Sequence, residues 1–223
     1  MKNVFLYGAS GHGKVIKDII EANGDKVVAF VDDNPDIVEL AGTPVLHKVG
    51  DSEIVIVSIG VNRTRKMIVD RLNCEFDTAI HPTAVISPSA KIGEGTVVMA
   101  GAVINADVII GKHCIVNTGA TIDHECVIGD YCHIAPHATL CGQVKVGEGT
   151  LVGVGSCVVP CISIGCWCNV GAGASVVRDV DDGRTVVGVP AKTIRIMSNK
   201  IGGGGENQLV AGVLYREGGS YAA

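Results

Sequence analysis

Between Ile80 and Val176 every sixth residue is Ile, Leu or Val, at seventeen consecutive positions. If aliphatics occupy about a quarter of a chain, such a run arises by chance on the order of once in ten billion. The residue four places after each aliphatic is mostly small, as at Ala84, Thr96, Ala102, Cys114, Ala120, Cys126 and Ala138. One branched and one small inward residue per hexad predicts a parallel β-helix, in which three short strands and three turns complete a coil. The repeat is long enough for nearly six coils. Glycine directly follows the aliphatic at Gly93, Gly111, Gly129, Gly147, Gly153, Gly165 and Gly171. Those glycines are expected to relieve crowding at tight corners, where positive φ is convenient.

Residues 1 to 78 have a different pattern. Val4-Phe5-Leu6-Tyr7 reads as a strand, Gly8 to Lys14 as a glycine turn, and Val15, Ile16, Ile19 and Ile20 as the apolar stripe of a helix. Two further apolar runs, Val27–Val31 and Ile54–Ile59, end at Asp32-Asp33 and at Gly60. Together they predict a small parallel α/β sheet. Gly8 to Lys14 meets the phosphate-loop pattern GxxxxGK[ST] except at its last place, where Val15 lacks the hydroxyl that would hold magnesium. Nucleoside triphosphate hydrolysis therefore has no basis here, and the turn is not GxGxxG. Backbone amides at a helix N-terminus remain, and they suit a pyrophosphate. The acidic pair about twenty residues later suits ribose hydroxyls. About eighty residues are too few for a full dinucleotide domain, which favours a nucleotide-diphosphate group over a nicotinamide cofactor. A plain capping turn is the alternative reading of the glycines.

Composition narrows the choice of partners. The 223 residues carry a net charge of −5, which argues against nucleic acid as a partner. Thirty glycines against eight aromatic residues fit small repeated units better than a conventional large core. Mean hydropathy is positive, at +0.38, yet no stretch of about 18 apolar residues runs unbroken, so no membrane span is expected. The first apolar run is too short for a secretory signal, and a cytoplasmic location is expected. Cys114, Cys126, Cys132 and Cys168 fall in the small inward slot, which makes them reduced packing residues rather than zinc ligands.

Polar chemistry concentrates between Asn117 and Cys126, followed by His133 and His137. His124 stands near a corner, where its ring can project outward and take a proton from an attacking amine or hydroxyl. A merely solvated histidine is the alternative. Metal binding by His124, His133 and His137 is disfavoured because their differing hexad places scatter the rings.

GASGHGK, the DD pair, NTGATIDHECVIGDYCHIAPHATLCGQVKVGEG and VVGVPAK resemble the bacterial sugar-nucleotide N-acetyltransferases of the left-handed β-helix superfamily over residues 1 to about 197. The nearest group acetylates UDP-4-amino-4,6-dideoxy-N-acetylglucosamine in bacillosamine synthesis, with perosamine N-acetyltransferases and sialic acid O-acetyltransferases as relatives. The resemblance implies a Rossmann-like α/β domain over 1–78, a left-handed parallel β-helix of hexapeptide repeats over 79–197, and a glycine-rich tail over 198–223. It implies His124 as general base, Glu125 raising its basicity, and Asn117 shaping the site. His133, Gly142, Val154 and Ala172 fall where the family contacts acetyl-coenzyme A, between subunits of a homotrimer. Ser10, Gly11, His12, Asp32, Asp33 and Gly60 match its uridine-nucleotide contacts. Direct transfer from the thioester needs neither metal nor covalent intermediate, and no cysteine has both a base and an outward slot for a ping-pong route. O-acetylation of a sugar and a non-catalytic structural β-helix are the alternatives. Side chains alternate along a strand, so Glu125 reaches His124 only if the chain bends between them.

Overall fold

The computed structural model describes residues 1–194 and the backbone of a short antiparallel pair, Gln208–Val210 with Val213–Tyr215. The end of the segment expected over 79–197 and the rest of the tail over 198–223 lie outside the described residues.

The N-terminal sheet is built around β1 (Asn3–Tyr7), whose Val4, Phe5, Leu6 and Tyr7 are all buried, as a central parallel strand covered on both faces requires. β2 (Lys26–Val31) and β5 (Ile54–Val57) pair with it in parallel on either side. β4 (Thr43–Leu46) extends the sheet beyond β2, with β3 (Glu39–Leu40) antiparallel at that edge, and β6 (Glu75–Phe76) closes the other edge. The helix α1 (Gly11–Ala22) buries Ile16, Ile19 and Ile20, spaced as one helical stripe, while Val15 stays exposed. A second helix, α2 (Asn62–Arg71), follows β5. Because β2 and β5 leave β1 in opposite directions, the ends of β1 and β5 open a crevice where Gly8 and Gly60 lie.

From Ala79 the chain winds into a triangular prism of two-residue strands. Face 1 stacks Ala79–Ile80, Val97–Val98, Ile115–Val116, His133–Ile134, Leu151–Val152, Asn169–Val170 and Thr185–Val187, and Lys192–Ile194 closes it antiparallel. Face 2 runs from Val85–Ile86 to Ser175–Val176, and face 3 from Lys91–Ile92 to Ser163–Ile164. Up to Val176 each strand residue pairs with the one eighteen places on, as Val97 with Ile115 and Ile115 with His133, and the last coil shortens the step to sixteen, as Asn169 with Thr185. Corners therefore form columns with an eighteen-residue period.

The aliphatic and small slots both point inward and are buried. The small slot also carries donors. The thiols of Cys114, Cys126 and Cys132 donate to Gly129 O, Cys141 O and Gly147 O at 3.0–3.1 Å, and the hydroxyls of Thr96 and Thr150 donate to Gly111 O and Gly165 O at 2.9 and 2.7 Å. Each ties one turn to the turn of the next coil.

The glycines after the aliphatic do relieve crowding, but the positive φ expected with it is absent. None of Gly93, Gly111, Gly129, Gly147, Gly153, Gly165 and Gly171 has positive φ. A Cβ at Gly93 would instead lie 2.6 Å from the Gly111 carbonyl, so close approach of stacked turns is what requires glycine there. Positive φ falls two residues later, and at many coils a side chain occupies that place: Asp107, His113, Glu125, Tyr131, His137, Gln143, Cys161 and Trp167. A non-glycine residue there costs about 1–2 kcal/mol.

Face 1 docks on the α/β domain. Val97 and Ile115 point outward from the prism yet are each 1% exposed, packed with Leu6, Ile16 and Ala79, whereas Ile109 and Val127 on face 3 are 46% and 41% exposed. α2 lies against the corner between faces 3 and 1. There His113 stacks on Tyr131, Phe76 meets His113 edge-on, and Arg63 and Lys66 lie over Trp167 and Tyr131.

Candidate active site

The glycine turn is held by its own strand ends. Gly8 N donates to Val31 O at 2.7 Å, and Ser58 Oγ donates to Gly8 O at 2.8 Å. Gly8 has φ +120°, and a Cβ there would meet Ile59 at 2.5 Å. Asp32 accepts from the amides of Ala9 and Asn34 at 2.8 and 2.9 Å, so one candidate acidic residue braces the turn. Asp33 is bound to Arg71 at 2.6 Å and accepts from the Tyr7 hydroxyl at 2.5 Å, and Arg71 also donates to that hydroxyl. The Tyr7 and Arg71 hydrogen bonds hold the Asp33 carboxyl below its ordinary range, and burial with Asp33 nearby pushes the Tyr7 phenol up to about 12. Ser10 stands at the N-cap with no side-chain cap bond, and Ser10 and Gly11 are exposed. The first turn of α1 carries no acidic residue, so its amides remain open to an anion.

Across the crevice lies face 1. His133 Nε2 is 3.0 Å from Asn117 Nδ2, and its half-buried ring is close enough to Arg65 and His12 to feel their charge. Burial, then Arg65 and His12, drive the His133 imidazole down to about 3, against a contact with the Gly60 backbone. His12 is lowered to about 4 by burial and Arg65, and its Nε2 is buried without a partner. The structure thus gathers His12, Gly60, Asn117 and His133 on one side of the molecule.

Sequence reasoning passed over the residue that joins them. Arg65 on α2 is 1% exposed, with no salt bridge among the described residues. Its Nε donates to His113 O at 2.8 Å, Nη1 to Ile59 O at 2.9 Å, and Nη2 to Tyr131 O at 2.8 Å and Asn62 Oδ1 at 2.9 Å. Burial lowers its pKa to about 10, so the guanidinium stays charged at neutral pH.

These neutral imidazoles give the joint an acid limit. Burial pushes His12 and His113 down to about 4 and His133 down to about 3, against an ordinary value of 6.5. A histidine depressed on folding contributes stability in full above about 6.5, and that contribution is lost as pH falls toward its folded value. We expect the melting temperature to be level above about pH 7 and to fall steadily from about 6.5 to 4. A curve flat to pH 4.5 would remove these histidines from the joint.

The candidate base stands elsewhere. His124 and Glu125 occupy the corner between faces 2 and 3, the vertex opposite face 1, and their side chains are 54% and 53% exposed. His124 Nδ1 lies 3.0 Å from Glu125 Oε2. The bend that alternation demanded is present, because Glu125 has φ +59°. The Cε1–Nε2 edge of the ring rests over Gly142 one coil on, where a Cβ would come within 2.6 Å of both atoms. Gly142 is therefore a floor for the imidazole. Val154 and Ala172 are exposed and stack in a different column, between faces 1 and 2. His124, His133 and His137 do not share a prism face: they lie at one corner, on face 1, and at a second corner. Among the described residues no group of His, Cys, Asp and Glu is arranged to hold a metal ion.

Residues 3–72 match the family model described as PglD N-terminal domain, and residues 89–124 and 107–142 match that described as bacterial transferase hexapeptide (six repeats). The fold is similar to PerB from Caulobacter crescentus in complex with CoA and GDP-perosamine, with 40% identity, a TM-score of 0.82, and 87% of this chain and 98% of that one covered. It is also similar to the acetyltransferase domain of PglB from Neisseria gonorrhoeae, with 36% identity, a TM-score of 0.81, and 87% and 100% covered. Among curated proteins, UDP-N-acetylbacillosamine N-acetyltransferase of Bacillus subtilis is 45% identical over an alignment of 113 residues, with 45% of this chain and 52% of that protein covered, so the match spans about half of its length. The prism and the α/β domain are thus those of hexapeptide-repeat transferases. The chain belongs to the sugar N-acetyltransferases of that class, and its coil is their left-handed parallel β-helix.

Proposed function

We propose that the protein transfers the acetyl group of acetyl-CoA to the 4-amino group of a nucleotide-linked amino sugar, UDP-4-amino-4,6-dideoxy-N-acetylglucosamine by our reading. The observation that carries this is the His124–Glu125 pair at 3.0 Å, with the far edge of the ring set over Gly142 and open to solvent. Glu125 accepts from Nδ1–H, which leaves Nε2 as the free base. The amine attacks the thioester carbonyl carbon, His124 Nε2 takes an N–H proton, and the C–S bond breaks. The imidazolium returns that proton to the departing sulfur, giving the amide and free CoA. No metal takes part.

The nucleotide end is assigned to the open amides of α1 with Ser10, Gly11, His12 and Gly60. Asp32 and Asp33 offer only the second lone pairs of oxygens that each already accept a hydrogen bond, from Ala9, Asn34, Tyr7 and Arg71. His133 and Asn117 form the wall that the sugar would meet. Because His124 is at the vertex opposite face 1, a nucleotide held by one chain's turn lies across the prism from that chain's own base. The four donor contacts taken from the resemblance do not stand together either: Gly142, Val154 and Ala172 divide between two corners, and His133 lies on face 1 beside Asn117. Both facts support a homotrimer with sites between neighbours. No helix among the described residues is long and apolar enough to cross a membrane, and a cytoplasmic location fits donor and acceptor alike.

The test is mass spectrometry of the purified protein with acetyl-CoA and a panel of UDP- and GDP-linked sugars bearing a 4-amino or a 4-hydroxyl group. We expect a gain of one acetyl group on a 4-amino acceptor. Modification of hydroxyl acceptors alone would replace this reading with O-acetylation.

A further inference from the structure

The corner that carries His124 holds a longer chain of contacts than the pair alone. Asp107, Glu125, Gln143 and Cys161 stack there eighteen residues apart, each at a positive φ. Gln143 Nε2 donates to Glu125 Oε2 at 3.1 Å, the same oxygen that faces His124 Nδ1. Its Oε1 accepts from the Cys161 thiol at 3.3 Å. The amide orientation is fixed from both ends, because a flipped amide would turn Oε1 against the carboxylate and lose both bonds. Gln143 is exposed, so it adds nothing to the core, yet it occupies a backbone position that favours glycine. We propose that Gln143 is a positioning residue, which aims the Glu125 carboxylate at His124 Nδ1 and is itself oriented by Cys161.

This rests on the reading of His124 as base. Its consequence is that the ring is held from two sides, Gly142 beneath it and Gln143 through Glu125 behind it. The Gln143 hydrogen bond, followed by that of His124, also keeps the Glu125 carboxyl below its ordinary range. The other titratable groups packed around the pair are Asp107 on the coil before, Asp123 beside it, and Cys141 and Cys161 on the coils after. Asp123 is occupied, accepting from Asn105 Nδ2 at 2.9 Å and from the His124 amide at 2.8 Å.

The experiment compares the full chain with Gln143→Ala and Gln143→Glu by two readouts. The first is an NMR titration of the His124 imidazole without substrates. Alanine frees Glu125 to swing away, and the midpoint is expected to move to lower pH by roughly half a pH unit; glutamate adds a second carboxylate and moves it higher by a similar amount. The second is steady-state kinetics, in which Gln143→Ala lowers kcat about tenfold with both KM values within about twofold, and the acid limb of kcat/KM follows the NMR midpoint. A purely structural role would lower the melting temperature and shift neither midpoint. Midpoints that stay put, or move in the same direction in both variants, overturn the proposal. If the midpoints move oppositely but even the parent protein transfers no acetyl group, the positioning stands and the functional reading fails.

Discussion

His124→Ala is expected to lower turnover by about two to four orders of magnitude, the usual worth of a positioned general base. Release of the CoA thiol, followed with a thiol-reactive chromophore, measures it directly. The protein should fold as before, because the side chain is half exposed and rests on Gly142 without entering the prism. KM for the donor should change little, since the ring contributes mainly when the proton moves. Glu125→Gln should cost less, because an amide in that place can still accept from Nδ1–H. A rate for His124→Ala within tenfold of the parent would remove His124 from the chemistry.

Arg65→Ala should have the largest effect on stability. Three short bonds to the carbonyls of His113, Ile59 and Tyr131 are lost at about 1–2 kcal/mol each, for a total of roughly 3–6 kcal/mol. The lost bonds span α2, the end of β5 and the corner between faces 3 and 1, so the penalty falls on the joint. Calorimetry should show the α/β domain melting below the prism, where the parent is expected to give one transition. Arg65→Lys should recover only part of the difference, since an ammonium cannot address carbonyls in three directions from one planar group. A single unshifted transition in Arg65→Ala would show that the apolar contacts of face 1 suffice.

The prism was legible because its rule is local and repeats: the step of six and the small slot required no knowledge of distant neighbours. The same rule misled at the glycines. Gly93 and its equivalents touch turns eighteen residues away, and a local reading assigned them a φ that belongs two positions further on. The reach of Glu125 to His124 was hidden for the same reason, since the left-handed residue that bends the chain is Glu125 itself. Arg65 carried no signal within Asn62-Arg63-Thr64-Arg65-Lys66, which reads as a solvated basic helix until face 1 is laid against it. Gln143 did have one. It lies eighteen residues after Glu125 at the same place in its hexad, and comparing residues by column would have set them side by side.

The fixed register also constrains how such a molecule can change length. Duplicating eighteen residues inserts one whole coil and returns every later side chain to its own column. Duplicating only six between Asn117 and His124 keeps the spacing of aliphatics intact and the core satisfied, but it rotates His124 by a third of a revolution onto the next corner. The core would tolerate that event, so growth by hexads preserves the scaffold while only growth by full coils keeps His124, Glu125 and Gln143 in their own column.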